Sequence, residues 1–355
     1  MRIGLNIVRE QKNVPLLIED EIEAVRDRYI KTLTPLFLPN DPISHDIIRY
    51  FASLLRIVGM EDAGWDPHLE SRALLKDVNS LLQIELPKER FPDRDLTTWR
   101  LGLLFYSHIV EMDAPYEVLT NLLRFRLGKG YSPNPYYMFL SDKEKKRHGN
   151  SRISPKRKIE ILRALGNEAR IPVAELFDEF YDSNLRNAIS HSDFILTPEN
   201  FRCRGGSGAW RGFSLPLERV NELITKAKIF VGTFFGLDRE ARRIWGTHKH
   251  RAIPYDATYK GLMEVLVDAD DLLCGFKVHW PNNSESVYRR IADGIEMTNC
   301  MLDLKNASIQ LMVGLYARKA GTFSPLVEES QTPVYTALEG SGQIPAWEAQ
   351  SEYAP

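Results

Sequence analysis

The segment VAELFDEFYDSNLRNAISH, residues 173–191, decides the fold of this chain because a broad apolar stripe runs along it and ends in polar side chains. Its apolar residues recur at spacings of three and four, which predicts one amphipathic helix that starts at Pro172 and packs on other helices. Arg186, Asn187 and His191 follow where the stripe ends. The segment therefore predicts a helical bundle with a cluster of reactive side chains at the end of one helix.

The residues before this segment predict further helices. Apolar positions at the same spacing, with Pro, Gly and Asp residues at the breaks, occupy residues 15–34, 43–60, 67–83, 96–112 and 115–127. The first 130 residues are thus expected to be mostly helical.

A change in composition separates these helices from the segment. Residues 128–153 are rich in Gly, Pro, Ser, Asn and Lys, which predicts a long loop. Ser154 and Pro155 then predict the start of another helix, which runs to about Leu165.

The residues after His191 predict a small β insertion. FILTP, FRCR and AWRGFSL are short runs of β-branched and aromatic residues, which favour an antiparallel hairpin or meander over residues 193–214, with GGSG at 205–208 as its turn. From Ser214 an apolar stripe resumes and predicts a long core-facing helix.

The C-terminal third of the chain has weaker patterns. We expect a helix near 257–273, strands in CGFKVHW and IEMTNCML, and a helical stretch near 306–319. The predicted fold is mainly α, a helical bundle with a small β-hairpin insertion and a C-terminal α+β unit. Its parts are an N-terminal helical segment at 1–42, the bundle at 43–245, the α+β unit at 246–320 and an extended tail at 321–355.

Composition limits the classes of partner. The chain of 355 residues has 46 Lys and Arg against 48 Asp and Glu, so no overall charge points to nucleic acid or a membrane. Its three cysteines, Cys203, Cys274 and Cys300, are too few and too far apart for a disulfide framework or a CxxC metal pair. No signal-like segment or run of about 20 apolar residues is present. We therefore expect a cytoplasmic protein with no membrane partner.

The geometry of a helix separates two of the three polar residues. At about 100° per residue, Asn187 and His191 lie on one edge of the apolar face, whereas Arg186 lies about 140° from His191. One regular helix does not bring Arg186 and His191 together. Either the last turn is distorted before Ser192, or a second chain contributes to the site.

These three residue types suit the cleavage of RNA without a metal. The reaction needs a base for the ribose 2′-hydroxyl, an acid for the departing 5′-oxygen and a cation for the phosphate. Histidine transfers protons near neutral pH, and the arginine fork matches the geometry of a phosphate. Asn187 is placed to orient the ring or to hold a phosphate oxygen.

RNAISH, residues 186–191, resembles the Arg-x4–6-His motif of HEPN domains, including the polar residue directly after the arginine. Members of that family are helical bundles that usually pair about a twofold axis and bring two motifs into one cleft. Many are metal-independent ribonucleases in toxin, phage-defence or RNA-processing systems, and some bind nucleotides or partners without cleavage. The resemblance covers the motif and, loosely, helices from 43 to 236. It implies catalytic roles for Arg186 and His191, with Asn187 at the polar position.

A basic segment supports RNA as the partner. Residues 143–158 contain one acid and eight basic residues: Lys143, Lys145, Lys146, Arg147, Arg152, Lys156, Arg157 and Lys158. Tyr131, Tyr136, Tyr137 and Phe139 precede them, and basic groups beside aromatic rings suit single-stranded RNA. A solvated loop explains the same pattern.

Other patterns favour no further site. Arg243 and His248 in RRIWGTH repeat the motif spacing but lack the polar residue after the arginine, which favours a chance match. His248 and His250 lack a third ligand at a suitable spacing, so we expect no metal and no cofactor. His108 lies in an apolar helix and is expected to belong to the core or an interface.

The sequence thus leaves three hypotheses. The first is a homodimeric, metal-independent endoribonuclease, paired through the motif helix and possessing an antitoxin or other protein partner. The second is a non-catalytic HEPN-like module that binds RNA, a nucleotide or a protein. The third is a helical interaction protein, in which Arg186 is solvated and His191 caps the carbonyl groups at a helix end.

Overall fold

The structure is a computed structural model and forms two compact units. The motif unit comprises the described residues within 1–34, 66–116 and 139–236, and the sheet unit those within 35–65, 117–138 and 237–355. The described residues are 19–39, 47–56, 67–148, 153–204, 212–256, 261–280, 283–291, 294–303, 308–311, 318–319 and 322–323.

The chain is mainly α with some β, as the sequence predicts. The helices are α1 (Glu19–Phe37), α2 (Ile47–Leu55), α3 (Pro67–Leu81), α4 (Arg94–Glu111), α5 (Asp113–Arg126), α6 (Asp142–His148), α7 (Pro155–Ala169), α8 (Val173–Asp178), α9 (Ser183–Ser190) and α10 (Leu217–Gly246), with a 3₁₀ turn at Tyr137–Phe139. Among the described residues, no helix combines the length and the apolar character needed to cross a membrane.

An aromatic cluster forms part of the core of the motif unit. The ring of Phe230 on α10 lies 4.6 Å from that of Phe177 and 5.1 Å from that of Phe180. Tyr116 stacks on Phe177 at 4.8 Å, and all four side chains are buried. Because α8 supplies Phe177 and the residues just after it supply Phe180, this cluster fixes the chain that leads into the motif.

The single helix predicted from Pro172 to His191 is wrong. The chain leaves the helix after Asp178 and starts again at Ser183, because the Asp182 carboxylate accepts hydrogen bonds from the Asn184 and Leu185 N–H groups at 2.9 Å each. The Tyr106 hydroxyl on α4 binds two backbone groups at this break. It donates to the Phe180 carbonyl at 2.9 Å and accepts from the Asp182 N–H at 3.0 Å.

The loop predicted over 128–153 contains α6. Its start is a capping box, in which the Ser141 N–H donates to the Glu144 carboxylate at 2.8 Å and the Glu144 N–H donates back to the Ser141 hydroxyl at 3.3 Å. The basic residues among 143–148 therefore lie on a short helix.

The β insertion is confirmed as an antiparallel meander. Its strands are β1 (Phe194–Leu196), β2 (Asn200–Cys203) and β3 (Phe213–Pro216), paired in the order β1-β2-β3. The rings of Phe194 and Phe213 stack on either side of Phe201. The turn predicted at 205–208 lies outside the described residues.

The C-terminal unit differs from the α+β prediction. A five-stranded antiparallel sheet follows α10, in the order β4 (Ala252–Asp256), β5 (Gly261–Val267), β6 (Leu273–His279), β7 (Glu285–Ile291) and β8 (Gly294–Thr298), with a hairpin of β9 (Cys300–Asp303) and β10 (Ser308–Leu311). Of the tail predicted from 321, residues 322–323 form β12, which pairs with β11 (Arg318–Lys319), and the rest lies outside the described residues.

The helices predicted near 257–273 and 306–319 are wrong where residues are described, since 261–267 and 308–311 are strands. β5 is paired on both edges, with β4 and β6, and this pairing outweighs a helical pattern of apolar residues. Gly261 is required at its start, because a Cβ atom there would lie 2.6 Å from the ring of Trp280.

Candidate functional site

The motif helix α9 ends in a Schellman motif. The Asp193 N–H donates to the Ala188 carbonyl and the Ser192 N–H to the Ile189 carbonyl, both at 3.0 Å. Ser192 takes the left-handed conformation, with φ of 53°, that this motif usually gives to glycine. The chain therefore turns sharply away from the helix axis directly after His191.

Arg186 is held by two side chains. Its Nε donates to the carboxylate of Glu111 at the end of α4, and its Nη1 donates to Asn187 Oδ1 at 2.8 Å. The Glu111 hydrogen bond raises the pKa of Arg186, against the opposing effect of desolvation, so the guanidinium stays charged. Its side chain is 24% exposed, which leaves part of the fork open to solvent.

His191 is exposed and is the C-cap residue of α9. Its backbone leaves the helical conformation, with φ of −94° and ψ of 1°, while its N–H donates to the Asn187 carbonyl at 2.9 Å. Within the described part of the chain, the ring makes no hydrogen bond. The ring therefore does not cap a carbonyl, which the purely structural hypothesis for His191 requires.

The structure brings two of the three motif residues into contact. Asn187 binds Arg186 through its side-chain oxygen, so it orients the arginine and not the histidine ring. Among the described residues, no hydrogen bond or ion pair joins the ring of His191 to Arg186 or Glu111.

The corner between α4 and α5 carries two carboxylates on either side of Met112. Glu111 pairs with Arg186 on α9, and Asp113 pairs with Lys158 on α7. The corner therefore places the first turn of α7 near the motif.

Tyr181 lies in the same region. Burial raises the pKa of its hydroxyl, the charge of Arg186 lowers it, and the charge of Glu111 raises it further. The backbone of Lys156 also lowers this pKa. Tyr181 thus lies close enough to the first turn of α7 and to the motif arginine for both to affect its pKa.

Some side chains of the basic segment are exposed, and others form ion pairs within the motif unit. Lys143, Lys146 and Lys156 are exposed, and Lys145 is half-buried. Arg152 and the side chain of Arg147 lie outside the described residues.

Two cations of the segment do not fit the prediction of an RNA-binding surface. Lys158 is only 4% exposed; its ammonium pairs with Asp113 and lies 5.4 Å from the centre of the Tyr116 ring. Arg157 pairs with Glu144 at 3.0 Å and Glu160 at 3.1 Å, and donates to the Phe139 carbonyl. Both side chains connect elements of the motif unit.

The aromatic residues before the segment also divide. Tyr131 and Tyr136 are buried in the sheet unit, so their rings are not available for stacking on bases, while Tyr137 is 51% exposed. Two of the four predicted stacking residues are therefore part of a core.

The second Arg-x4-His match has local partners. Arg243 pairs with Glu240, one turn earlier on α10, and the His248 ring lies 5.1 Å from that of Trp245. In the described ranges, no three side chains of His, Cys, Asp or Glu come together as a metal site requires.

Glu111 is the site residue that the sequence did not reveal. It is 75 positions from Arg186, and its only local signal is its place beside the Asp-Ala-Pro helix start. Compared with family models, curated proteins and solved structures, the chain matches none of them.

Proposed function

We propose that this chain is a HEPN-like, metal-independent endoribonuclease. One observation carries the proposal: Arg186 is charged, partly exposed and oriented by Glu111 and Asn187, five positions before an exposed His191 at the end of the same helix. An oriented guanidinium and an exposed imidazole are the two groups that phosphodiester cleavage needs.

Arg186 binds the scissile phosphate. Among the described contacts, Glu111 engages Nε and Asn187 engages one N–H of Nη1, so Nη2 and the second N–H of Nη1 bind the phosphate. A guanidinium that is already oriented loses little conformational entropy on binding and stabilises the additional negative charge of the transition state.

His191 transfers protons. The ribose 2′-oxygen forms a bond to phosphorus, its proton passes to an imidazole, and the bond from phosphorus to the 5′-oxygen breaks as that oxygen takes a proton. The products are a 2′,3′-cyclic phosphate and a free 5′-hydroxyl. A water molecule gives the 5′-oxygen its proton, and the imidazolium then returns the first proton to the hydroxide that remains. A homodimer that joins two motif helices pairs His191 of one chain with Arg186 of the other, which one regular helix does not bring together.

Cleavage of a single-stranded RNA in EDTA tests the proposal. We expect cyclic-phosphate products, and a rate that falls at least about 100-fold in His191→Ala, because general acid–base catalysis contributes that much. The matched control is His248→Ala, which removes the histidine of the second Arg-x4-His match and should leave the rate unchanged. Cleavage by His191→Ala at the parent rate would overturn the mechanism.

A non-catalytic RNA-binding module is the second candidate. It is favoured by the ring of His191, which has no hydrogen-bond partner in the described chain to fix its orientation. This candidate predicts RNA binding that weakens with salt and survives His191→Ala, with no cleavage in any variant.

A further inference from the structure

The first turn of α7 lies beside the motif. Two ion pairs start from one corner of the chain: Glu111 holds Arg186, and Asp113, two residues later, holds Lys158.

This turn carries three successive cations, of which two are neutralised. Lys158 is buried against Asp113, and Arg157 has both Glu144 and Glu160 as partners. Lys156 is exposed, and no described carboxylate forms an ion pair with it. Its charge is therefore available to a ligand.

The exposed lysines of α6 differ from Lys156 in their setting. Lys143 and Lys146 have the same charge and exposure, but no described contact joins either of them to α9 or to the α4–α5 corner. Charge alone does not distinguish the three lysines. Lys156 differs because its helical turn is joined to the α4–α5 corner by the ion pair between Lys158 and Asp113.

We propose that Lys156 binds the backbone phosphate next to the scissile one, so that single-stranded RNA passes from Arg186 over the first turn of α7. The inference rests on the proposed function. It assigns one residue of the basic segment, Lys156, to the substrate site. Lys156 positions substrate and takes no part in bond cleavage.

Binding of an uncleavable 2′-O-methyl RNA oligonucleotide, measured by fluorescence anisotropy at several salt concentrations, tests this. Loss of one phosphate contact on a single strand lowers the slope of log K against log salt by about 0.7, which is about fivefold in affinity at 0.1 M salt. We expect both changes in Lys156→Ala, recovery in Lys156→Arg, and neither change in the control Lys146→Ala.

Cleavage kinetics give a second measure. Because the contact is the same in substrate and transition state, Lys156→Ala should raise KM about fivefold with kcat unchanged. If the parent protein binds and cleaves RNA but Lys156→Ala matches Lys146→Ala in slope and KM, this inference fails and the proposed function stands. If the parent protein neither binds nor cleaves RNA, both fail.

Discussion

At the scale of single residues, the motif unit buries two lysine side chains, Lys158 and Lys228. Lys158 is buried but has Asp113, which compensates its charge. Lys228 on α10 is also only 4% exposed, and burial lowers its pKa to about 8. The folded state therefore disfavours the charged form of Lys228 more strongly than water does.

A pH dependence of stability follows from Lys228. Its pKa falls from 10.5 in the unfolded chain to about 8 in the folded one, so the unfolded state binds more protons between these values. Stability should rise with pH across this window, by about 3 kcal/mol at most.

Urea unfolding of the parent protein and of Lys228→Met at pH 7.5 and pH 10 measures this effect. The methionine variant should be the more stable at pH 7.5, and its advantage should shrink at pH 10. A difference that stays constant between the two pH values would contradict the assignment.

At the scale of elements, the sequence predicts the helices whose apolar residues recur at helical spacing within one segment. The stripes of α4, α7 and α10 lie within single segments, so each could be found without the rest of the chain. The break between α8 and α9 could not, because Tyr106 stabilises it from 76 positions away. The strand β5 differs from the predicted helix because its pairing with β4 and β6, and not the spacing of its apolar residues, decides its conformation.

The end of α9 also allows a test of backbone strain. A left-handed conformation costs a non-glycine residue about 1–2 kcal/mol. Glycine avoids this cost but loses about 0.5–1 kcal/mol, because its unfolded state has more conformational freedom. Ser192→Gly should therefore stabilise the protein by about 0.5–1 kcal/mol.

Its matched control is Ser190→Gly, the same change in the last helical residue of α9, which should destabilise the protein by up to about 0.5 kcal/mol. Urea midpoints compare the two variants. If both substitutions shift the urea midpoint in the same direction, the conformation of Ser192 is not the cause of the change in stability.

At the scale of the whole molecule, neither compact unit is continuous in sequence. Each gathers three stretches of the chain, and the segment 43–245, predicted as one bundle, contributes residues to both. Local patterns cannot reveal such a division, because it depends on contacts between distant stretches. For the site, the sequence pointed to the motif residues and missed the carboxylate that orients Arg186.

The proposed pairing of two chains has a direct test. Arg186→Ala and His191→Ala should each be inactive alone, because each lacks one of the two groups. Mixed and allowed to exchange subunits, they should recover part of the parent rate, since a shared cleft then contains one intact arginine and one intact histidine.

The control for this experiment is either variant mixed with itself, and light scattering gives the mass of the assembly. The recovered rate should fall on dilution, together with the fraction of dimer. A mixture as inactive as its components would mean that each chain forms its own complete site.

The α4–α5 corner makes chain length matter more than residue identity. A single residue, Met112, separates the carboxylates that hold Arg186 and Lys158. An inserted alanine beside Met112 would turn α5 by about 100° about its axis, so Asp113 would leave Lys158 while Glu111 kept Arg186. The corner sets a spacing: an apolar substitution of similar size at the buried Met112 should be tolerated, whereas one residue more or less separates the motif from its neighbouring helix.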